Sequence, residues 1–234
     1  MTFTIVHLFP ELLGTYGDRG NVEVVSWRLS QRQIENEVIA VGIGEKIPKS
    51  ADLYFLGGGE DDAQIAAMEI LARKNVMAKV LNSGGHVFAV CAGFQILGDT
   101  FPASGGRVIS GLGLLPIETV SVTPRSVGEV LLKPTFSIEG EEFLTGFENH
   151  SGQTRFTDNL QPLGIVAKGI GNGLGAGVDG VVTPQVIGTY MHGPALVRNP
   201  GLADWVLERK LGRLEPLDAS IFQHLHEERV RASR

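Results

Sequence analysis

The stretch Gly85-His86-Val87-Phe88-Ala89-Val90-Cys91-Ala92-Gly93-Phe94-Gln95-Ile96-Leu97-Gly98 constrains the fold more than any other part of the chain. Val87 to Val90 make a short apolar run of the kind a buried parallel strand needs, and Gly93 to Leu97 continue with residues that suit a helix. Between them stands Cys91, the single cysteine among 234 residues. A residue on a sharp strand-to-helix turn stands clear of the sheet, and the first amides of the next helix point at whatever it attacks. That placement makes Cys91 a candidate thiolate nucleophile. A lone cysteine is otherwise a small buried hydrophobe, and it is the strand–Cys–small–Gly–helix setting that separates the two readings. One cysteine forms no internal disulfide, and a thiolate survives in a reducing compartment.

The rest of the first hundred residues supplies a sheet for that bend. Residues 3–8 alternate as a first strand ended by Pro10. Tyr16-Gly17-Asp18-Arg19-Gly20-Asn21 reads as a turn whose Asn21 caps a helix carrying Val22, Val25 and Leu29 on one stripe. Residues 38–41 read as a second strand and residues 52–56 as a third, which runs into Gly57-Gly58-Gly59-Glu60-Asp61-Asp62. Three glycines at a strand's carboxyl end let backbone amides approach an anion closely, although the same triplet also serves as a plain βα turn. Ile65, Met68, Leu71 and Ala72 mark a helix that Asn82-Ser83-Gly84-Gly85 closes. The order β-α-β-β-α-β-α predicts a parallel, doubly wound sheet, in which ligands gather at the strands' carboxyl ends.

Beyond Gly111 the texture changes. Residues 117–122, 127–132, 136–138 and 164–167 read as short strands of an antiparallel or mixed extension of the sheet, with Arg125 in the turn between the first two. The polar cluster Phe147-Glu148-Asn149-His150-Ser151-Gly152 lines a cleft or turns the chain. The glycine-rich run of residues 169–177 matches neither phosphate-binding spacing and reads as a mobile hairpin loop. Residues 186–191 form a further strand with His192-Gly193-Pro194 at its end, where a base is usefully placed. Leu202, Trp205 and Val206 open a helix capped by Gly212, and a last amphipathic helix starts at Asp218 and spans about 218–234. A single compact domain over residues 1–234 is the expectation.

Charge and composition narrow the function. A formal net charge of -6 leaves no basic footprint for nucleic acid, and no run of about 18 apolar residues offers a membrane span. The start of the chain lacks a basic n-region and a small-residue cleavage site, so a cytoplasmic location is expected. No Walker A motif occurs, so any ATP-driven step belongs to another polypeptide. The six histidines include no H-E-x-x-H, and His224 and His226 fall on different sides of a helix, so no metal is implied.

Four of these pieces together resemble the class I glutamine amidotransferases, in the branch that includes the glutaminase domains of cobyric acid and cobyrinic acid diamide synthases. They are Tyr16-Gly17-Asp18-Arg19-Gly20-Asn21, Gly57-Gly58-Gly59, Val90-Cys91-Ala92-Gly93-Phe94-Gln95 and Gly188-Thr189-Tyr190-Met191-His192-Gly193, in family order over nearly the whole chain. With Gly146-Phe147-Glu148-Asn149-His150 ahead of the histidine strand, the chain looks most like the glutaminase subunits of lipid II isoglutaminyl synthases. The fold this implies is a three-layer α/β sandwich with a mostly parallel central sheet and an antiparallel extension. The implied partner is a Mur-ligase-like, ATP-dependent synthetase that amidates the D-glutamate of the lipid II stem peptide. ATP and Mg belong to that subunit, lipid II is reached through it, and no cofactor is expected in this chain.

The resemblance also implies roles. Cys91 is the nucleophile and His192 its base and acid; Gly58 or Gly59, with the amide of Ala92, supplies the oxyanion hole. Gln95 touches bound L-glutamine, and Arg125 holds its α-carboxylate, a task suited to a two-pronged guanidinium. Two positions depart from the family pattern. Ala89 stands where the elbow usually has glycine, and Pro194 stands where many members carry the glutamate that orients the histidine. Either a Cys91–His192 dyad acts, or an acid arrives from elsewhere, with the synthetase subunit as its expected source. The reaction implied is amide hydrolysis through a thioester, with ammonia passed to the partner in a stable heterodimer. The alternatives are a glutaminase serving a corrinoid-amidating enzyme, a non-catalytic scaffold subunit of the same fold, and a cysteine hydrolase with another substrate.

Overall fold

The computed structural model describes residues 2–234, so Met1, the first residue of the stretch read for a leader, lies outside it. In chain order the elements are β1 (Phe3–Leu8), α1 (Arg19–Gln31), β2 (Asn36–Val41), β3 (Leu53–Leu56), α2 (Asp61–Ala72), α3 (Val76–Asn82), β4 (His86–Val90) and α4 (Ala92–Ile96). Next come β5 (Thr100–Ala103), β6 (Arg107–Ser110), β7 (Ile117–Pro134), β8 (Leu144–Phe156), β9 (Gly164–Lys168), β10 (Val178–Asp179), β11 (Val181–Val182) and β12 (Val186–Thr189). Three helices, α5 (Ala195–Arg198), α6 (Pro200–Leu211) and α7 (Ser220–Ser233), complete the chain.

The first sheet has the order β11-β12-β4-β3-β1-β2, parallel throughout except for the antiparallel edge strand β11. The steps from β1 to β2 and from β3 to β4 run in opposite directions across it, so right-handed crossovers put α1 and the α2–α3 pair on opposite faces. Burial on both faces explains why β3, β4 and β12 are almost unbroken apolar runs, buried at nearly every position. β2, at the edge, is mostly exposed or half-buried.

The expected extension is a second sheet, in the order β10-β9-β7-β5-β6 with β8 paired to β7, antiparallel except for the parallel contact of β5 with β7. Where two strands were expected around Arg125 there is one long strand, β7, whose register against β8 shifts between Ser121 and Ser126. Ser121 faces Gly152 and Ser126 faces His150, so residues 122–125 bulge out opposite Ser151 alone. The polar cluster at residues 147–152 lies within β8 and so lines the cleft edge rather than turning the chain. Residues 136–138 are not a strand; they follow β7 as irregular chain, where Phe136 stacks on Trp205 of α6 with ring centroids 4.1 Å apart. The loop at residues 169–177 joins β9 to β10 as a hairpin, and its first turn is fixed by the Glu148 carboxylate, which accepts from the amides of Ile170 and Gly171 at 2.8 Å each.

Two helix ends differ from expectation. Asn21 does not cap α1; its Oδ1 accepts from the Leu196 amide at 2.8 Å and ties α1 to α5. The last helix begins at Ser220 rather than Asp218. Among the described residues no helix is long and apolar enough to cross a membrane.

Candidate active site

The carboxyl ends of β3, β4 and β12 meet where the two sheets approach, and the bend after β4 sets the geometry. Cys91 has φ 51° and ψ -107°, a conformation that costs a non-glycine residue about 1–3 kcal/mol. The bend holds because it closes both elements at once. The Cys91 amide donates to the Thr189 carbonyl at 2.8 Å, extending the β4–β12 pairing, while its carbonyl accepts from Gln95 at 3.0 Å to start α4. Gly93 lets α4 lie against β3, since a Cβ there would fall 2.6 Å from the Leu56 carbonyl oxygen. Ala89, in the place of the usual glycine, is fully buried in β4.

His192 follows β12 by three residues, and its backbone is pinned by a reciprocal pair of 2.9 Å hydrogen bonds to Phe147 of β8. Its Nδ1 lies 3.1 Å from each carboxylate oxygen of Asp18. The Asp18 side chain is buried, and its Oδ2 also accepts from the Gly58 amide at 2.8 Å. With Nδ1–H donating to that carboxylate, Nε2 is the nitrogen turned towards the cleft. Nε2 is buried and makes no fully formed hydrogen bond, yet the Cys91 sulfhydryl is close enough to act on it. Burial lowers the imidazole's pKa, but the Asp18 hydrogen bond, Cys91 and their charges outweigh it and raise the value to about 10. A proton held on the ring at Nε2 is placed where a departing group at Cys91 could take it.

Asp18 therefore supplies, from within this chain, the acid that was expected from the synthetase subunit. Pro194, which displaces the usual glutamate, packs on the start of α1 instead: a Cβ at Gly20 would lie 2.3 Å from Pro194 Cγ. Asp18 sits in a motif singled out in the sequence, but it reads there as a turn residue. The one local hint is an acid immediately ahead of the first helix, in the loop that leads from β1 to α1.

The glycine triplet is shaped by close approach rather than by positive φ. A Cβ at Gly58 would fall 2.6 Å from His192 Cε1, so no larger residue fits beside the imidazole. Because the Gly58 amide donates to Asp18, it is not free to meet an oxyanion, which removes Gly58 from the expected pair of donors. Gly59 and Ala92 both line the cleft beside Cys91.

The opposite wall comes from the second sheet. Arg125, carried out by the bulge in β7, donates from Nε to Asn149 Oδ1 at 2.6 Å and from Nη2 to the Asn149 carbonyl at 2.8 Å. The same Nη2 reaches the Tyr16 hydroxyl at 3.1 Å, and that hydroxyl donates to Glu60 Oε1 at 3.0 Å. Tyr16 packs its ring on His192, with centroids 4.7 Å apart. Burial and then Glu60 raise the Tyr16 pKa, which keeps its hydroxyl protonated. At the cleft floor, Gln95 Oε1 accepts from Gln64 at 2.9 Å and Gln95 Nε2 donates to Tyr190 at 3.0 Å, so its amide orientation is set from both ends. His150 also lines the cleft, stacked on Tyr190 at 3.8 Å with Nδ1 2.8 Å from the Gly152 carbonyl and Nε2 buried 3.7 Å from Glu148 Oε2, without a hydrogen bond. Tyr16, Glu60 and His150 lie in stretches the sequence singles out, but no role follows for them there, and Gln64 carries no motif at all.

A family model described as the CobB/CobQ-like glutamine amidotransferase domain matches residues 4–200. The chain is similar to a Streptococcus pneumoniae protein named lipid II isoglutaminyl synthase (glutamine-hydrolyzing) subunit GatD, at 35% identity over 85% of this chain and 76% of that protein. It is also similar to the Staphylococcus aureus protein of the same name, at 32% identity over 90% of this chain and 85% of that one. A Brucella abortus cobyric acid synthase is 33% identical over 67% of this chain but only 32% of its own length. A solved structure of a glutamine amidotransferase superposes with a TM-score of 0.54 at 20% identity, covering 88% of this chain and 98% of that one, which is a likeness of fold.

Proposed function

The chain belongs to the CobB/CobQ-like glutamine amidotransferase family, and from that premise we propose that it is the glutaminase subunit of a lipid II isoglutaminyl synthase. Cys91 attacks the side-chain carbonyl of L-glutamine, the Gly59 and Ala92 amides meet the developing oxyanion, and His192 passes its Nε2 proton to the departing ammonia. Water, deprotonated by the same nitrogen, then cleaves the thioester and releases glutamate. Asp18 keeps Nδ1 protonated through both halves and balances the imidazolium charge. Arg125 holds the substrate α-carboxylate, and Gln95 lies at the cleft floor against the substrate's side chain.

The observation that carries this reading is the relay from Asp18 through His192 to a cysteine held on a strained bend, three groups drawn from three separate loops onto one cleft. Ammonia protonated in bulk water is no longer a nucleophile, so its acceptor must be reached without release to solvent. The acceptor belongs to a Mur-ligase-like, ATP- and Mg-dependent synthetase that amidates the D-glutamate of lipid II, and the two subunits form a stable heterodimer working on the cytoplasmic side. With Asp18 in the same chain, the isolated subunit is expected to hydrolyse glutamine on its own. Pulling the protein from its native cell, identifying the polypeptide bound to it and measuring glutamine-dependent amidation of lipid II tests the reading. A corrinoid-amidating partner, or ammonia release that survives Cys91→Ala, would overturn it.

A further inference from the structure

Glu60 lines the cleft that holds Cys91 and Arg125, and no role follows for it from the relay or the oxyanion donors. Its position relative to Arg125 is unusual in one respect. The Tyr16 hydroxyl accepts from the Arg125 guanidinium on one side, at 3.1 Å, and donates to the Glu60 carboxylate on the other, at 3.0 Å. The two opposite charges therefore face each other across the cleft mouth, two hydrogen-bond lengths apart, without closing into an ion pair. An exposed Arg and Glu with nothing between them gain by pairing; here a third group and the Asn149 contacts keep them separated.

A free amino acid carries a carboxylate and an ammonium on one carbon, and such a gap between a cation and an anion matches it charge for charge. We propose that Glu60 is the specificity residue that receives the α-ammonium of glutamine, opposite the α-carboxylate on Arg125. The proposal rests on the glutaminase reading above and goes beyond it, because it fixes the substrate class as free α-amino acids rather than amides in general. Asp61, the other acid at the cleft, is less suited, since its Oδ2 already accepts from Ser104 at 2.6 Å. Glu60 has one oxygen on Tyr16 and one left over, and an ammonium brings three donors, so a charge-assisted bond forms without breaking the tyrosine contact. A glutamine residue inside a peptide has no α-ammonium to offer the Glu60 carboxylate, and so loses that charge-assisted bond.

Two substrates and two variants test this. Ammonia release from the full chain, with its synthetase subunit where they co-purify, is followed with L-glutamine and with 4-carbamoylbutanoate, which is glutamine without its amino group. Labelling of Cys91 by 6-diazo-5-oxo-L-norleucine gives a second readout on the chain alone. In Glu60→Gln, KM for glutamine rises about tenfold to a hundredfold, kcat stays within about threefold, and kcat/KM for 4-carbamoylbutanoate is unchanged. Tyr16→Phe, which removes the bridge and leaves the carboxylate, keeps the preference for glutamine. A Glu60→Gln variant that loses both substrates in parallel, or labels at the wild-type rate, overturns the assignment while leaving the glutaminase reading standing. A wild-type chain inert to the diazo ketone overturns both.

Discussion

Asp18→Asn isolates one interaction, because it preserves the size of the side chain and half of its hydrogen bonding. The native carboxylate meets the Gly58 amide at 2.8 Å through Oδ2 and His192 Nδ1 at 3.1 Å from both oxygens. An asparagine oxygen serves the Gly58 donor as well as a carboxylate does, which leaves the amide NH2 facing Nδ1. Two donors cannot face each other, so the imidazole turns its lone pair to the new amide nitrogen and carries its proton on Nε2, against the cysteine sulfur. In that tautomer the ring cannot take a proton from Cys91 or from the hydrolytic water. The same exchange in a serine-protease triad costs about four orders of magnitude in kcat, and here kcat is expected to fall about 10³- to 10⁴-fold, or about 4–5.5 kcal/mol.

The charge behaviour changes with it. Burial alone lowers the His192 pKa, and Asp18 is the leading group that reverses this and raises it to about 10. A raised value means that the charged imidazole's contribution to stability is fully present below its unfolded pKa of about 6.5 and is lost as pH climbs through about 10. In Asp18→Asn the raising groups are diminished, so the stability gap between wild type and variant narrows over that window. Coupled ammonia release measures the first effect and thermal melts between pH 6 and 10 the second. A variant within tenfold of wild type in kcat, or a stability gap that does not change with pH, refutes the reasoning.

Three further substitutions probe neighbouring parts of the site. Cys91→Gly melts higher than Cys91→Ala by about 1–3 kcal/mol, the reverse of the usual ranking, because only glycine relaxes at φ 51°; equal stabilities would mean that the bend is unstrained. Gly58→Ala drives a methyl onto His192 Cε1 and lowers kcat about 10²-fold or more with little change in far-UV circular dichroism; a near-normal kcat would show that the ring can move aside. Glu141 sits at the amino end of α6, accepting from the Gly201 and Leu202 amides, and burial raises its pKa to about 7. Its folded pKa is above the unfolded one, so its contribution is present below about pH 4.5 and lost as pH rises through about 7; Glu141→Gln flattens that slope in thermal melts, and an unaltered slope would contradict the assignment.

Much of this was legible in the residues alone. The bend at Cys91 is local information, since an apolar run followed by small residues and a helical stripe has few ways to fold, and the parallel order of the first hundred residues follows from the same periodicities. Its place at a strand end pointed to His192 and the resemblance to Arg125; Arg125 lines the cleft, and His192 meets Asp18 and packs on Tyr16. The misreadings share one cause: residues 122–125 look like a turn because Pro124 and Arg125 break the alternation, whereas the pairing with β8 on both sides carries one strand through the interruption. Asn21 likewise looks like a cap because helix-start chemistry is local, and its side-chain oxygen instead accepts from the amide of Leu196, 175 residues away.

The sequence by itself determined where a nucleophile could stand and what kind of sheet would carry it, because strand, turn and helix preferences act between near neighbours. Only the tertiary structure decided that Asp18 orients His192 across a separation of 174 residues, that this takes the Gly58 amide away from the oxyanion, and that Tyr16 holds Arg125 and Glu60 apart. Those contacts depend on the order in which the strands pack and on how the two sheets meet, and neither leaves a periodic trace in the chain.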